Sequence, residues 1–155
     1  MIPTPANSRV LETMSQLFVS FPHCATLGFE YVGTEGRKPT LKLAWREDLV
    51  GNPATGIIHG GVITSLVDTC SAIAVTAQLA EAETIATLDL RIDYLKSATP
   101  GKAIHCTAEC YRLASQIAFT RAVCYHDDPA DPIAHGVATF MRESSRTPML
   151  QEGAR

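Results

Sequence analysis

His59, Gly60 and Gly61 directly precede a long, largely apolar run, and together they could form an anion-binding site. Glycines leave the backbone N–H groups sterically open. If a helix begins here, its first N–H groups have no partner within the helix, and the helix dipole adds partial positive charge. Such a helix start can stabilise an oxyanion in a transition state. The alternative is that the glycine pair only forms a turn.

Asp68 lies inside that run and is the only acidic residue between Asp48 and Glu81. An unpaired charge in a core is costly, so the carboxylate has either a structural hydrogen-bond partner, such as Thr64 or the backbone, or a function. On a helix, Asp68 would lie about 12 Å along the axis from Gly60. Two antiparallel copies of the helix would bring Gly60 of one chain near the partner's Asp68. If the two residues act together, their spacing predicts a dimer with two shared sites.

Other arrangements of reactive side chains are less consistent with the sequence. The remaining histidines show no metal-ligand spacing: His23, His105, His126 and His135. Ser65, His59 and Asp68 are the residue types of a hydrolase triad, but no GxSxG motif presents the serine. On a helix, Cys70 and Asp68 would point apart. These patterns do not favour a metal site, a serine hydrolase or a cysteine nucleophile.

Composition limits the class of protein. The chain has 155 residues, of which 46% are hydrophobic and 19% charged, as expected of one compact domain. Its net charge of -3 disfavours nucleic-acid binding. The five cysteines are odd in number and contain no CxxC, which indicates neither a disulfide framework nor a zinc site and favours a reducing cytoplasm. No signal peptide or lipid-spanning run is evident.

Hydrophobic periodicity predicts an N-terminal helix, a long buried helix and a set of strands. Residues 1–22 form an amphipathic helical segment that packs on a domain at 23–142, and 143–155 form a flexible tail. The long helix runs from Gly60 to about Leu79, after a loop at 47–58. Strands are predicted within 26–33, 39–45, 84–95, 102–113, 116–125 and 132–142.

Small side chains dominate one face of each of the last three strands. These faces are Cys106, Ala108 and Cys110; Ala118, Thr120, Ala122 and Cys124; and Ala134, Gly136, Ala138 and Phe140. Since protein interiors leave few voids, something bulky must approach these faces closely, and the long helix is the obvious occupant. The prediction is an α+β fold in which a curved antiparallel sheet wraps around one central helix. In the strand at 84–95, alternation places Leu88, Leu90, Ile92 and Tyr94 on one face.

The run "NPATGIIHGGVITSLVDT" resembles the signature of hotdog-fold acyl-CoA thioesterases of the PaaI-like (phenylacetate pathway) group, in the 4HBT superfamily. The resemblance covers roughly Leu27 to Met141 and includes the strand "TLDLRIDYLKSATPG". It implies a single hotdog domain that hydrolyses acyl-CoA and needs no cofactor beyond the coenzyme A of its substrate. It also implies a homodimer with shared active sites, commonly paired into a homotetramer, in which the strand at 84–95 pairs with its copy. Neither a nucleic acid nor a membrane is an expected partner.

The same resemblance implies a role for each matching residue. The Gly60 N–H would polarise the thioester carbonyl, and the partner's Asp68 would act as general base or nucleophile. Asn52 would help to position the substrate, although its spacing to HGG is one residue longer than in some relatives. Thr87, where relatives often have serine, would hold the water or the acid. Further substrate or coenzyme A contacts are expected from His59, Gly61, Val62, Leu88, Asp89 and Arg112, and other basic candidates are Arg91, Lys96 and Arg121.

Two other functions remain open from the sequence. The chain can be a hotdog hydratase or dehydratase, which typically pairs a histidine with an acid; the place of His59 at the helix start weakens this reading. It can also be a non-catalytic acyl-CoA-binding protein. The acyl group is equally open, with phenylacetyl, hydroxybenzoyl and medium-chain groups all compatible.

Overall fold

A computed structural model of the chain describes residues 6–80 and 83–143. Its elements, in chain order, are α1 (Ala6–Ser20), α2 (Pro22–Leu27), β1 (Phe29–Glu35), β2 (Lys38–Leu43), a 3-10 turn (Glu47–Leu49), β3 (Val50–Asn52), β4 (Ile57–Ile58), α3 (Gly60–Thr76), β5 (Thr84–Tyr94), β6 (Ile104–Leu113), β7 (Ile117–Tyr125) and β8 (Ala134–Glu143).

Six strands form one antiparallel sheet in the order β1-β2-β6-β7-β8-β5, and α3 packs along one face of it. The apolar side of α3 is fully buried at Leu66, Val67, Cys70 and Ile73. Residues Leu11, Phe18 and Val19 of α1 pack against the edge of the same core. The predicted α+β fold, with an antiparallel sheet around a central helix and an additional N-terminal helix, is therefore confirmed.

The small-residue faces lie against α3, as predicted. Cys106, Ala108, Ala118 and Cys124 are at most 1% exposed. The helix comes especially near the sheet at Gly136, where an added Cβ would lie 2.5 Å from Cγ1 of Val67. No side chain larger than hydrogen fits between β8 and α3 at that point, so the glycine allows the helix to lie directly on the sheet.

The predicted alternation of β5 is wrong at Leu88. The register with β8 shifts between Thr87 and Asp89, so Leu88 is the extra residue of a β-bulge and is 56% exposed. The extra residue of a bulge shifts the in-and-out alternation of the strand by one position, so odd-numbered residues face the core on one side of it and even-numbered residues on the other. Thr87 therefore faces α3 before the bulge, while Leu90 and Ile92 are the partly buried residues after it.

Two further local differences occur before α3. Thr26 and Leu27 lie in α2, where a strand was predicted, because Pro22 starts a second helix as well as following the first; Gly28, at φ 76°, ends it. The predicted loop at 47–58 contains the 3-10 turn and the short β3–β4 hairpin. The tail predicted for 143–155 falls, apart from its first residue, outside the described residues. Within 6–80 and 83–143, no helix combines the length and apolar character needed to cross a membrane.

Candidate active site

The start of α3 leaves one backbone N–H without an acceptor among the described residues. His59 is the N-cap residue, and its Nδ1 accepts a hydrogen bond of 2.9 Å from the N–H of Gly61. The carbonyl of His59 accepts the N–H of Val62, also at 2.9 Å. In the described part of the chain, the Gly60 N–H has no acceptor. The open donor, the Gly60 N–H, is thus the group that was expected to polarise a carbonyl.

The β3–β4 hairpin fixes the approach to this helix start. The His59 N–H donates to the carbonyl of Leu49 at 2.9 Å, and an added Cβ on Gly51 would lie 2.8 Å from the Cα of His59. The turn of the hairpin is anchored by Trp45, whose Nε1 donates to the carbonyl of Gly56 at 2.9 Å. His59 is therefore held by its backbone while its ring caps the helix.

Asn52 ends β3 in this hairpin and is exposed. Its Oδ1 accepts the N–H of Ala54 at 3.1 Å, an arrangement in which asparagine stabilises its own turn. The Nδ2 amide has no hydrogen-bond partner within residues 6–80 and 83–143, so it remains free to donate to a substrate.

Asp68 is half-buried at the middle of α3, where Thr87 of β5 contacts it. The Thr87 Oγ1 donates to Oδ1 of Asp68 at 2.8 Å. Within the described ranges, neither Thr64 nor the backbone binds the carboxylate: the Thr64 hydroxyl donates instead to the carbonyl of Gly60 at 3.1 Å. Oδ2 of Asp68 has no partner among the described residues. The carboxylate is oriented through one oxygen, and the other can accept a proton.

Gly60 and Asp68 lie on the same helix, eight residues apart. At 1.5 Å per residue this is about 12 Å along the axis, so one chain does not bring the two groups together.

A cleft of about 430 Å³ adjoins Gly60. Its lining is mostly apolar and includes Ile57, Ile58, Ile63, Tyr94, Leu95 and Ala98, with Lys96 and Ser97 also present. Tyr94 was predicted only as one residue on the apolar face of β5. Its Oη donates to the carbonyl of Gly60 at 2.7 Å. Tyr94 alternates with Leu90 and Ile92 on the face of β5 toward α3, and this alternation was the available sequence signal.

The other expected substrate contacts are dispersed. The Gly61 N–H is occupied by His59, and Val62 is only 9% exposed and lies in the core. Leu88 and Asp89 are exposed on the edge strand β5, and Arg112 lines a separate cleft of about 530 Å³ at the β6–β7 turn. Three other basic candidates form ion pairs, Arg91 with Asp93, Lys96 with Asp131 and Arg121 with Glu109. Among the described residues Arg112 forms none.

The geometry does not assemble a serine triad. The Ser65 hydroxyl donates to the carbonyl of Gly61 at 3.1 Å, and the His59 Nδ1 is engaged by the helix. Cys70 is fully buried, and its thiol donates to the carbonyl of Cys106 at 3.1 Å. No group of three or more His, Cys, Asp or Glu residues in the described ranges could hold a metal ion.

Comparison with known proteins identifies related sequences and structures. The family model of the thioesterase superfamily matches residues 55–133. YigI of Escherichia coli (strain K12), a medium/long-chain acyl-CoA thioesterase, is 31% identical over 147 residues, covering 86% of this chain and 94% of its own. A Pseudomonas aeruginosa protein of known crystal structure is 42% identical, with a TM-score of 0.78 over 86% of this chain and 99% of that chain. The PaaI protein of E. coli shares the fold at 18% identity, with a TM-score of 0.76 over 88% and 96% of the two chains.

Proposed function

We propose, for a chain that belongs to the thioesterase superfamily, the hydrolysis of acyl-CoA thioesters to a free acid and coenzyme A. The observation that carries this proposal is the start of α3. Among the described residues, its Gly60 N–H is open while the N–H groups of Gly61 and Val62 are both occupied. A single open donor at a helix N-terminus is suited to a developing oxyanion.

The proposed reaction uses Gly60 and Asp68. The Gly60 N–H polarises the thioester carbonyl, and the Asp68 carboxylate takes a proton from water as the water oxygen attacks the carbonyl carbon. The tetrahedral oxyanion is stabilised by the same N–H. When it collapses, the C–S bond breaks, and the leaving thiolate takes the proton that Asp68 had accepted and becomes coenzyme A. If Asp68 itself attacks the carbonyl carbon, the C–S bond breaks and the thiolate leaves as the mixed anhydride forms, and water then hydrolyses the anhydride. Thr87 orients the carboxylate in either case.

Each active site is proposed to lie between two chains. The separation of about 12 Å between Gly60 and Asp68 along α3 is too long for both residues to contact one carbonyl. Two antiparallel α3 helices would place Gly60 of each chain opposite Asp68 of the other. One edge of the sheet is β5, which among the described strands has a neighbour only on the β8 side. Pairing of β5 with its copy would cover that edge, and the dimers are proposed to associate into a homotetramer.

The proposed chemistry requires no cofactor, since a carboxylate and a backbone N–H supply both the base and the electrophilic assistance. Cytoplasmic localisation is also proposed. All five cysteines are free and buried, which is compatible with a reducing compartment.

Medium- and long-chain acyl groups are the proposed substrate class. The supporting relative is YigI, whose named substrates are of this class and which aligns over 86% of this chain. The PaaI structure, at 18% identity, supports the fold only. No observation favours a hydratase, because the ring of His59 caps α3 and Asp68 lies nine residues after it on the same helix.

Hydrolysis of a panel of acyl-CoA thioesters tests the proposal. Asp68→Asn keeps the shape of the side chain but removes the base, and its rate should fall by roughly 10²- to 10⁴-fold. Ser65→Ala is the matched control on the same helix, because the Ser65 hydroxyl only bonds Gly61; its rate should stay near that of the wild type. Near-normal turnover by Asp68→Asn, with fold and oligomeric state retained, would show that the assigned chemistry is wrong.

A further inference from the structure

We propose that Tyr94 is a positioning residue for the Gly60 N–H, and that the bulge at Leu88 turns the Tyr94 side chain toward Gly60. The inference rests on the proposed function in that Gly60 is taken as the group that contacts the thioester. Tyr94 itself acts through Gly60 rather than on the reacting atoms.

The peptide between Gly60 and Gly61 is held at both ends. Its carbonyl accepts the Tyr94 hydroxyl at 2.7 Å and the Thr64 hydroxyl at 3.1 Å. Its N–H, on Gly61, donates to Nδ1 of His59 at 2.9 Å. A peptide unit is planar, so these bonds fix its orientation, and glycine has no side chain that would do so otherwise. The Gly60 N–H lies in the preceding peptide, whose His59 carbonyl accepts the Val62 N–H at 2.9 Å. The two peptides meet at the Cα of Gly60, so holding the second peptide limits rotation at the residue that carries the open N–H.

The two hydroxyls also contact each other. Oη of Tyr94 lies 3.1 Å from Oγ1 of Thr64, which makes a closed triangle with the carbonyl of Gly60. Thr64 belongs to α3 itself, whereas Tyr94 comes from β5. Tyr94 is therefore the contact that ties the helix start to the sheet.

The strand β5 supports Asp68 of one proposed site and Gly60 of the other, and it reaches both only because of the bulge. Thr87 contacts Asp68 and Tyr94 contacts Gly60, yet the two strand residues are seven positions apart. In a regular strand an odd separation places two side chains on opposite faces. The extra residue Leu88 restores both to the face of α3. Bulges are enriched beside active sites because they re-aim side chains in this way.

The contact between Tyr94 and Gly60 can be perturbed by a substitution at either residue. A Cβ added at Gly60 would lie 3.1 Å from Oη of Tyr94 and 3.4 Å from its Cζ. Gly60→Ala keeps the N–H but crowds the tyrosine hydroxyl, which must shift by a few tenths of an ångström and so weakens its hydrogen bond to Gly60. Tyr94→Phe removes the hydroxyl and keeps the ring as a wall of the cleft. Both changes act on the same hydrogen bond, one by weakening it and the other by removing it, so their effects should overlap rather than add.

The first test compares kcat and KM for wild type, Tyr94→Phe, Gly60→Ala and the double variant. Tyr94→Phe should lower kcat about fivefold, the equivalent of one hydrogen bond, with KM within about twofold of wild type. The kcat of the double variant should be at most about twofold lower than the kcat of the slower single variant. Tyr111→Phe is the matched control, since Tyr111 is 56% exposed, much like Tyr94 at 51%, but lies outside the cleft. A kcat for Tyr94→Phe equal to that of the control, or fully additive effects, would overturn the proposal.

A second measurement does not depend on activity. Amide hydrogen exchange followed by NMR should show the Gly61 N–H exchanging faster by about fivefold or more in Tyr94→Phe, because the first turn of α3 opens more easily. The melting temperature should stay close to that of Tyr111→Phe, as a merely structural role would lower it instead. Unchanged exchange at Gly61 would refute the role of Tyr94 whatever the enzyme does. Normal turnover by Asp68→Asn would refute the proposed chemistry and leave the exchange result to decide on Tyr94.

Discussion

Thr87 donates a hydrogen bond of 2.8 Å from its Oγ1 to Oδ1 of Asp68, across the gap between β5 and α3. The bond orients a carboxylate that has no other hydrogen-bond partner in the described part of the chain. Because only Oδ1 is engaged, Oδ2 keeps its lone pairs for a water molecule or a carbonyl carbon. A partly satisfied acid in an apolar helix is more consistent with chemistry than with a structural role.

Thr87→Val tests this orientation because valine has nearly the same shape but no hydroxyl. We expect kcat to fall about tenfold, since a hydrogen bond to a charged group contributes about 1.5 to 3 kcal/mol. Thr87→Ser keeps the hydroxyl and should retain most of the rate. Steady-state kinetics on one acyl-CoA distinguishes them; equal rates for the valine and serine variants would mean that the hydroxyl does not assist Asp68.

The Gly60 N–H can be deleted by Gly60→Pro. Proline is tolerated at the first position of a helix, and His59 already has φ -61° and ψ 131°, the conformation favoured before proline. Loss of one oxyanion donor should lower kcat roughly 10²- to 10³-fold. Gly60→Ala adds a Cβ but keeps the N–H, so it should lose far less. Comparable losses in the two variants would show that crowding, rather than the missing donor, is responsible.

The composition of each element predicted most of the fold. The apolar run after HGG became α3, and the small faces of β6, β7 and β8 lie under it because a helix can approach a sheet only where side chains are short. Gly136 under Val67 is the clearest case. These features follow from the size and polarity of the individual residues, so a single sequence is enough to predict them.

Two kinds of feature were harder to predict from the sequence: which face of a strand each residue occupies, and contacts between residues far apart in the chain. Alternation from Leu88 to Tyr94 is regular in the sequence, yet Thr87 and Tyr94 face the same helix because the pairing with β8 shifts by one residue. That shift is set by the neighbouring strand, which local periodicity does not report. The hydroxyl expected near Asp68 at Thr87 came from family resemblance, whereas the contact of Tyr94 with Gly60 required the structure.

Glu109 on the outer face of the sheet should make stability depend on pH. Lys38 Nζ lies 2.7 Å from one carboxylate oxygen and Arg121 binds the other. The hydrogen bond from Lys38, followed by that from Arg121, lowers the pKa of Glu109 below its usual 4.5, against the opposing effect of burial. A lowered folded-state pKa stabilises the protein above the unfolded-state value, and this stabilisation is lost as pH falls through the lower one.

Glu109→Gln should therefore reduce the free energy of unfolding by about 1 to 2 kcal/mol at pH 7. The difference from wild type should shrink as the pH falls below 4.5, where the wild-type carboxyl gains its proton. Thermal unfolding between pH 7 and pH 3 measures both effects. Glu30→Gln is the control, since Glu30 pairs with Lys42 at 3.2 Å but is 56% exposed. A deficit for Glu109→Gln that persists unchanged at low pH would contradict the assignment.

Complementation between two inactive variants tests whether the active site is shared. If Gly60 of one chain works with the partner's Asp68, a heterodimer of Asp68→Asn and Gly60→Pro has one site carrying both changes and one intact site. Equal mixing with free exchange of subunits should then restore roughly one quarter of the wild-type rate, because half of the dimers are mixed and half of their sites are intact. If Gly60 and Asp68 of the same chain worked together, every site would carry one change, and the mixture would stay as slow as its parents. Co-refolding the two variants and assaying acyl-CoA hydrolysis separates these outcomes, and sedimentation of the mixture confirms that dimers have formed.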